Sequence, residues 1–310
     1  MRRGGRGADR LPAGRTLAGT RPLASSLGRV ALFVVLLFGV TVAAQGLLVA
    51  PIIWIVAATG VHVHADELVL LVASLAVTAL MVRSIDVRPW RDVGLGRDAA
   101  RAGTVARGSA IGAGAIGGAS LVLLLAGWLR FVPASPGSIA GAALSVTAFL
   151  LPAALYEEVL CRGYLLTALR DAVGVRWAVG LMSAVFGLLH AHNAGATVES
   201  VLIVTLAGVF LAAVRVAFDS LYAAWGAHAA WNWVMAVPLH APVSGLRFEA
   251  PAYRAVSAGP EWITGGSWGP EGGLAAALGM LAALGYLRYL QARNHRAGTR
   301  HVREESVANG

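Results

Sequence analysis

The sequence predicts an all-α fold, a polytopic membrane helical bundle of about eight transmembrane helices. Three observations lead there. Of 310 residues, 57% are hydrophobic and only 13% charged, with a mean hydropathy of +0.68, whereas a soluble domain carries about a quarter of its residues as charges. The apolar residues gather in long blocks of the kind that cross bilayers. The 25 basic residues, all of them arginine, fall mainly in alternate connections between those blocks, as the positive-inside rule requires.

Residues 1–29 hold Arg2, Arg3, Arg6, Arg10, Arg15, Arg21 and Arg29 among Gly, Pro, Ala and Ser with no apolar periodicity. They read as a disordered, basic cytoplasmic tail. The block 30–58 is too long for a signal-peptide core and is taken as an uncleaved span, with Pro51 placed to bend it. Further blocks at 68–82, 108–129, 139–169, 177–190, 198–214, 221–239 and 274–290 complete the eight. The transmembrane domain is thus 30–290, with its motif-bearing core at 139–239, and 291–310 is a C-terminal cytoplasmic tail. With both termini inside, 22 of the 25 arginines lie on the cytoplasmic side, and Arg130, Arg247 and Arg254 are the exceptions. The arginine-rich stretch 88–107 is expected to lie on the anionic leaflet or to form a solvated connector. The loop 240–271 is the only sizeable extramembrane element.

A net charge of +9 would suggest nucleic acid as the partner of a soluble chain, but in a membrane chain arginine marks topology. The partners expected are the lipid bilayer and a peptide or membrane-protein substrate, with no nucleic acid. A single cysteine, Cys161, excludes a disulfide framework and multi-cysteine metal centres. Arginine without lysine, with abundant Ala, Gly and Val, suggests a high-GC bacterial source, and hence the bacterial cytoplasmic membrane.

Chemistry concentrates in three apolar helices. The run Leu155-Tyr156-Glu157-Glu158-Val159-Leu160-Cys161-Arg162 puts three charges into the fourth block, at a cost of about 2.5 to 3.5 kcal/mol each before pairing. Glu158 and Arg162, spaced i, i+4, are expected to pair on one face and leave Glu157, about 100° around the helix, free to act. The fifth block ends in Phe186-Gly187-Leu188-Leu189-His190. With the intervening turn near Val173, Glu157 and His190 lie sixteen and seventeen residues from it, at nearly one level of an antiparallel hairpin. The seventh block contains Gly226-Ala227-His228-Ala229-Ala230-Trp231-Asn232, in which His228 and Asn232 share a face as hydrogen-bond donors. His62, His64, His192 and His240 read as structural or solvated.

The ordered set Glu-Glu-x-x-x-Arg, Phe-x-x-x-His and His-x-x-x-Asn, each on its own apolar helix, resembles the CPBP family, intramembrane endopeptidases that include the type II CAAX prenyl endopeptidases. Asp92-Val93-Gly94-Leu95, Ser220-Leu221 and Gly265-Gly266-Ser267-Trp268-Gly269-Pro270-Glu271 also look like family features. The resemblance implies peptide-bond hydrolysis inside the bilayer, with Glu157 and His190 activating water and with His228 and Asn232 steadying the oxyanion. Glu158, Arg162 and Phe186 support them, and no cofactor is implied. Three other chemistries fit the same residues. Zinc held by Glu157, His190 and His228 would make a metalloprotease, although no His-Glu-x-x-His pair is present. Buried carboxylates and histidines also suit a proton-coupled transporter, although no matching broken helices occupy two halves. A non-catalytic membrane binding protein of the same fold is the third.

Overall fold

In the computed structural model, residues 23–59 and 65–308 are described, so most of the expected basic tail, together with His62 and His64, lies outside the described residues. Helix α1 (Leu23–Thr59) begins seven residues before the expected first block. Its early turns are held by protein contacts, because Ser26 and Phe33 are buried and Arg29 reaches the buried carboxylate of Asp86 at 2.7 Å. Helix α2 (Ala65–Leu80) runs into a π-helical turn, Met81–Ile85. Two 3₁₀ turns, Trp90–Val93 and Arg97–Ala100, then lead to α3 (Ala102–Leu125). Helices α4 (Ile139–Glu158) and α5 (Leu165–Leu189) are joined by a second π-helical segment, Val159–Tyr164. After α6 (Val198–Phe218) and α7 (Leu221–Ala236) comes the loop with the short α8 (Glu261–Thr264), and then α9 (Leu274–Ala308), which continues through 291–308 as helix.

The all-α membrane bundle is therefore observed. Among the described residues, six helical segments are long and apolar enough to cross a membrane: Ala24–Ala58, Asp66–Ile85, Ala102–Leu125, Ile139–Leu189, Val198–Phe218 and Leu274–Arg293. The fourth of these holds the expected fourth and fifth spans in one 51-residue segment, which is broken at Gly163 and Gly174, where the backbone leaves helical geometry. The expected seventh span corresponds to α7, which has only 16 residues and so rises about 24 Å, short of the bilayer's hydrocarbon thickness.

Helix α7 sits among α3, α4 and α6. Its approach to α3 is so close that a Cβ on Gly112 would stand 2.0 Å from the Ala227 carbonyl oxygen, so only glycine fits there. The stretch 88–107 is packed against the bundle by its backbone, while its Arg91 and Arg101 side chains stay exposed. It folds onto the end of the bundle: the Gly94 carbonyl accepts from Leu221 N–H, the Ala99 carbonyl accepts from Ser220 Oγ, and Arg215 Nη2 and Thr167 Oγ1 donate to the Asp92 carbonyl. Gly94 has φ +78°, and a side chain there would meet Arg215 Nε at 2.3 Å. At the other end, β1 (Leu129–Pro133) pairs antiparallel with β2 (Tyr253–Ser257), in the register Leu129 opposite Ser257. This small sheet ties the 240–271 loop to the end of α3.

Candidate active site

The three helix motifs converge. Arg162 and Glu158 are 1% and 0% exposed and pair at 3.0 Å between Nη1 and Oε1. Arg162 Nη2 also donates to the Gly208 carbonyl at 3.3 Å, and its guanidinium lies 4.1 Å from the centre of the Phe186 ring. Buried charges persist when paired and hydrogen-bonded, and here an ion pair, a carbonyl and a cation–π contact surround one arginine. The pairing occurs where α4 passes into the π-helical turn Val159–Tyr164. Such turns inside α-helices are frequent at functional sites.

The motif spacings have direct structural reasons. In Phe-x-x-x-His, the i, i+4 relation lets His190 Nδ1 meet the Phe186 carbonyl at 2.8 Å, while the two rings lie 4.7 Å apart. With its proton on Nδ1, a neutral His190 presents a lone pair at Nε2. In His-x-x-x-Asn, His228 sits buried, with Nδ1 3.0 Å from Glu158 Oε1. Glu158 thus joins Arg162 on its own helix to His228 on α7. Glu157 turns the other way: its Oε2 lies 3.9 Å from His190 Nε2 and 3.8 Å from His228 Nε2, and has no hydrogen-bond partner among protein atoms. These separations exceed a direct hydrogen bond. Asn232 lines the same small cavity as Phe186, His190 and His228.

That cavity, of about 30 Å³, is completed by Ser244 and Glu271 from the loop. It has room for about two waters. Two larger pockets, of about 910 and 860 Å³, lie against the β1–β2 sheet and between α3 and α9, and neither contains a residue of the three helix motifs. Among the described residues no group of three or more His, Cys, Asp or Glu side chains is disposed to hold a metal ion. His240, by contrast, is a packing residue, stacked on Tyr253 and bonded through Nδ1 to that residue's carbonyl. His192 is exposed.

Glu157, Glu158, Arg162, Phe186, His190, His228 and Asn232 are therefore brought to one place. The loop residues Ser244 and Glu271, with Trp231 and Asn193 behind them, are additions that no helical spacing announced. Glu271 Oε2 accepts from Trp231 Nε1 at 2.9 Å and Oε1 accepts from Ser244 Oγ at 2.7 Å. The available signal was a lone carboxylate in a glycine-rich loop.

Fold and site together define a multi-pass membrane protein with a cluster of carboxylates and histidines among apolar helices. Residues 139–234 match the family model for the type II CAAX prenyl endopeptidase Rce1-like domain, in agreement with the CPBP resemblance of the motifs. No curated protein and no solved structure matches the chain.

Proposed function

We propose that this protein is an intramembrane endopeptidase that hydrolyses peptide bonds of a membrane-associated or CAAX-like substrate, using water activated by Glu157 and His190. One observation carries the reading: two acceptors, Glu157 Oε2 and His190 Nε2, face each other 3.9 Å apart. A single water that donates one proton to each satisfies both, and keeps an oxygen lone pair free for attack.

In the proposed reaction that lone pair attacks the scissile carbonyl carbon. A C–O bond forms, the carbonyl π electrons move onto oxygen, and the water proton passes to the Glu157–His190 pair. The oxyanion accepts from Asn232 Nδ2 and from His228 Nε2, which donates when the ring carries both protons. Glu158 Oε1, 3.0 Å from Nδ1, holds the first proton and aims the second, while Arg162 balances the Glu158 charge. Each such donor is typically worth about 10²- to 10³-fold in rate. Collapse of the intermediate breaks the C–N bond and returns the held proton to the leaving amine. In the competing chemistry Glu157, His190 and His228 would have to close in from their present separations to hold a zinc ion, which would supply the acidity that activates water.

The arginine distribution supports both termini in the cytoplasm of a bacterial cell. A bacterial setting favours small secreted peptides or membrane-protein tails over prenylated proteins as substrates. The test compares peptides released from membranes containing the wild type or Glu157→Gln. A set present with the wild type and absent with the variant is expected. Identical sets from folded proteins at equal levels would sink the reading.

A further inference from the structure

Glu271 stands outside the three helix motifs, yet it lines the site cavity and is 8% exposed. Every contact on its carboxylate is a donor. Trp231 Nε1 donates to Oε2, and both the backbone N–H and the hydroxyl of Ser244 donate to Oε1. Each donor leads back to the catalytic groups. Trp231 lies on α7 three residues after His228 and one before Asn232, so holding its indole fixes the rotation of the helix that presents both. The Ser244 carbonyl accepts from Asn193 Nδ2 at 3.0 Å, and the Asn193 N–H donates to the His190 carbonyl at 3.1 Å. One carboxylate is therefore bonded, within three links, to both walls of the cavity.

We propose that Glu271 is a positioning residue that sets the distance between His190 on one wall and His228 with Asn232 on the other. Its consequence for turnover rests on the endopeptidase reading, while its consequence for geometry does not. A carboxylate is required rather than an amide. Glutamine has one acceptor oxygen, so its –NH₂ would face either the indole N–H or the serine donors, and one arm would be pushed away. Displacements of about 1 Å in a catalytic array cost as much as about 10²-fold in rate.

The test uses the full chain in lipid nanodiscs, with two readouts. The first is hydrolysis of a fluorogenic peptide spanning a Glu157-dependent cleavage site found in the membrane comparison. Glu271→Gln is expected to lower kcat by about tenfold or more with KM within about twofold. Trp231→Phe, which removes the clashing donor, is expected to cost less in the Glu271→Gln background than in the wild type. The second readout needs no activity: in a Cys161→Ser background, His190→Cys and His228→Cys are joined by a short bis-maleimide, and adding Glu271→Gln is expected to change the cross-linking rate by about threefold or more. A folded Glu271→Gln protein with both kcat and cross-linking rate unchanged overturns the proposal. Should Glu157 prove dispensable for peptide release, the cross-linking rate alone decides. Should Glu271→Gln fail to accumulate, Trp231→Phe removes the indole arm and Asn193→Ala cuts the link from Ser244 to the His190 wall, and both are judged by the same readouts.

Discussion

Replacing Arg162 by alanine removes three interactions at once: the ion pair with Glu158, the bond to the Gly208 carbonyl and the contact with the Phe186 ring. Because Glu158 is 0% exposed, no solvent replaces the lost partner, and breaking such a buried pair costs about 3 to 5 kcal/mol. At about 1.4 kcal/mol per tenfold, the equilibrium opening of this segment should rise by about 10²- to 5 × 10³-fold. The chain supplies its own reporter. Cys161, the single cysteine, is buried beside Arg162, so a fluorogenic maleimide reads the opening of this π-helical turn. In detergent or nanodiscs, Arg162→Ala should be labelled faster by at least about 10²-fold where opening is in fast exchange, and should also accumulate to lower levels. Glu158→Gln combined with Arg162→Gln should be less affected, since no unpaired charge remains and the amide oxygen still accepts from His228. Labelling of Arg162→Ala at the wild-type rate, or a double variant no better folded than the single, would refute the argument from charge pairing.

Asn232→Ala should lower kcat by about 10²-fold or more and leave KM nearly unchanged, as loss of an oxyanion donor does; a raised KM at unchanged kcat would make Asn232 a substrate-positioning group instead. Gly112→Ala should destabilise the bundle by about 1 to 3 kcal/mol and impair turnover, because the added methyl meets the Ala227 carbonyl at 2.0 Å, one residue from His228; wild-type activity and thermal stability would contradict the close α3–α7 contact. Cysteines at Glu249 and Ser306, in a Cys161→Ser background, should be labelled by an impermeant reagent from opposite sides of the membrane. Labelling from one side would remove the basis for the arginine topology.

The legible part of the site was the part written along single helices. Glu158 and Arg162, Phe186 and His190, and His228 and Asn232 are each i, i+4 pairs, and helical geometry alone puts each pair on one face. The shared level of Glu157 and His190 also followed from counting residues about a turn, which the chain makes at Gly174. Contacts made by loops were not legible. Nothing in the spacing of Asn193, Ser244 and Glu271 relates them, because the bonds between them depend on the path of 240–271 over the bundle. Asp86 illustrates the same limit. In the sequence it is one acid between Arg83 and Arg88, but folded it is a buried hub that receives Tyr164 Oη, Arg29 and Arg88 beneath the π-helical turn. Helix boundaries were hidden for a similar reason: hydropathy registers an apolar run but not where it turns, as at Gly174, or that it ends after 16 residues, as in α7.

The central claim is that side chains, rather than a bound ion, activate the water, and metal dependence tests it most directly. Purified protein in nanodiscs, stripped with a strong chelator and assayed for metal content beside its peptidase activity, should keep full turnover. Glu157→Gln should abolish that turnover without altering Cys161 labelling. Zinc present at one equivalent per chain, lost together with activity on chelation and restoring it on re-addition, would contradict the account and make Glu157, His190 and His228 ligands.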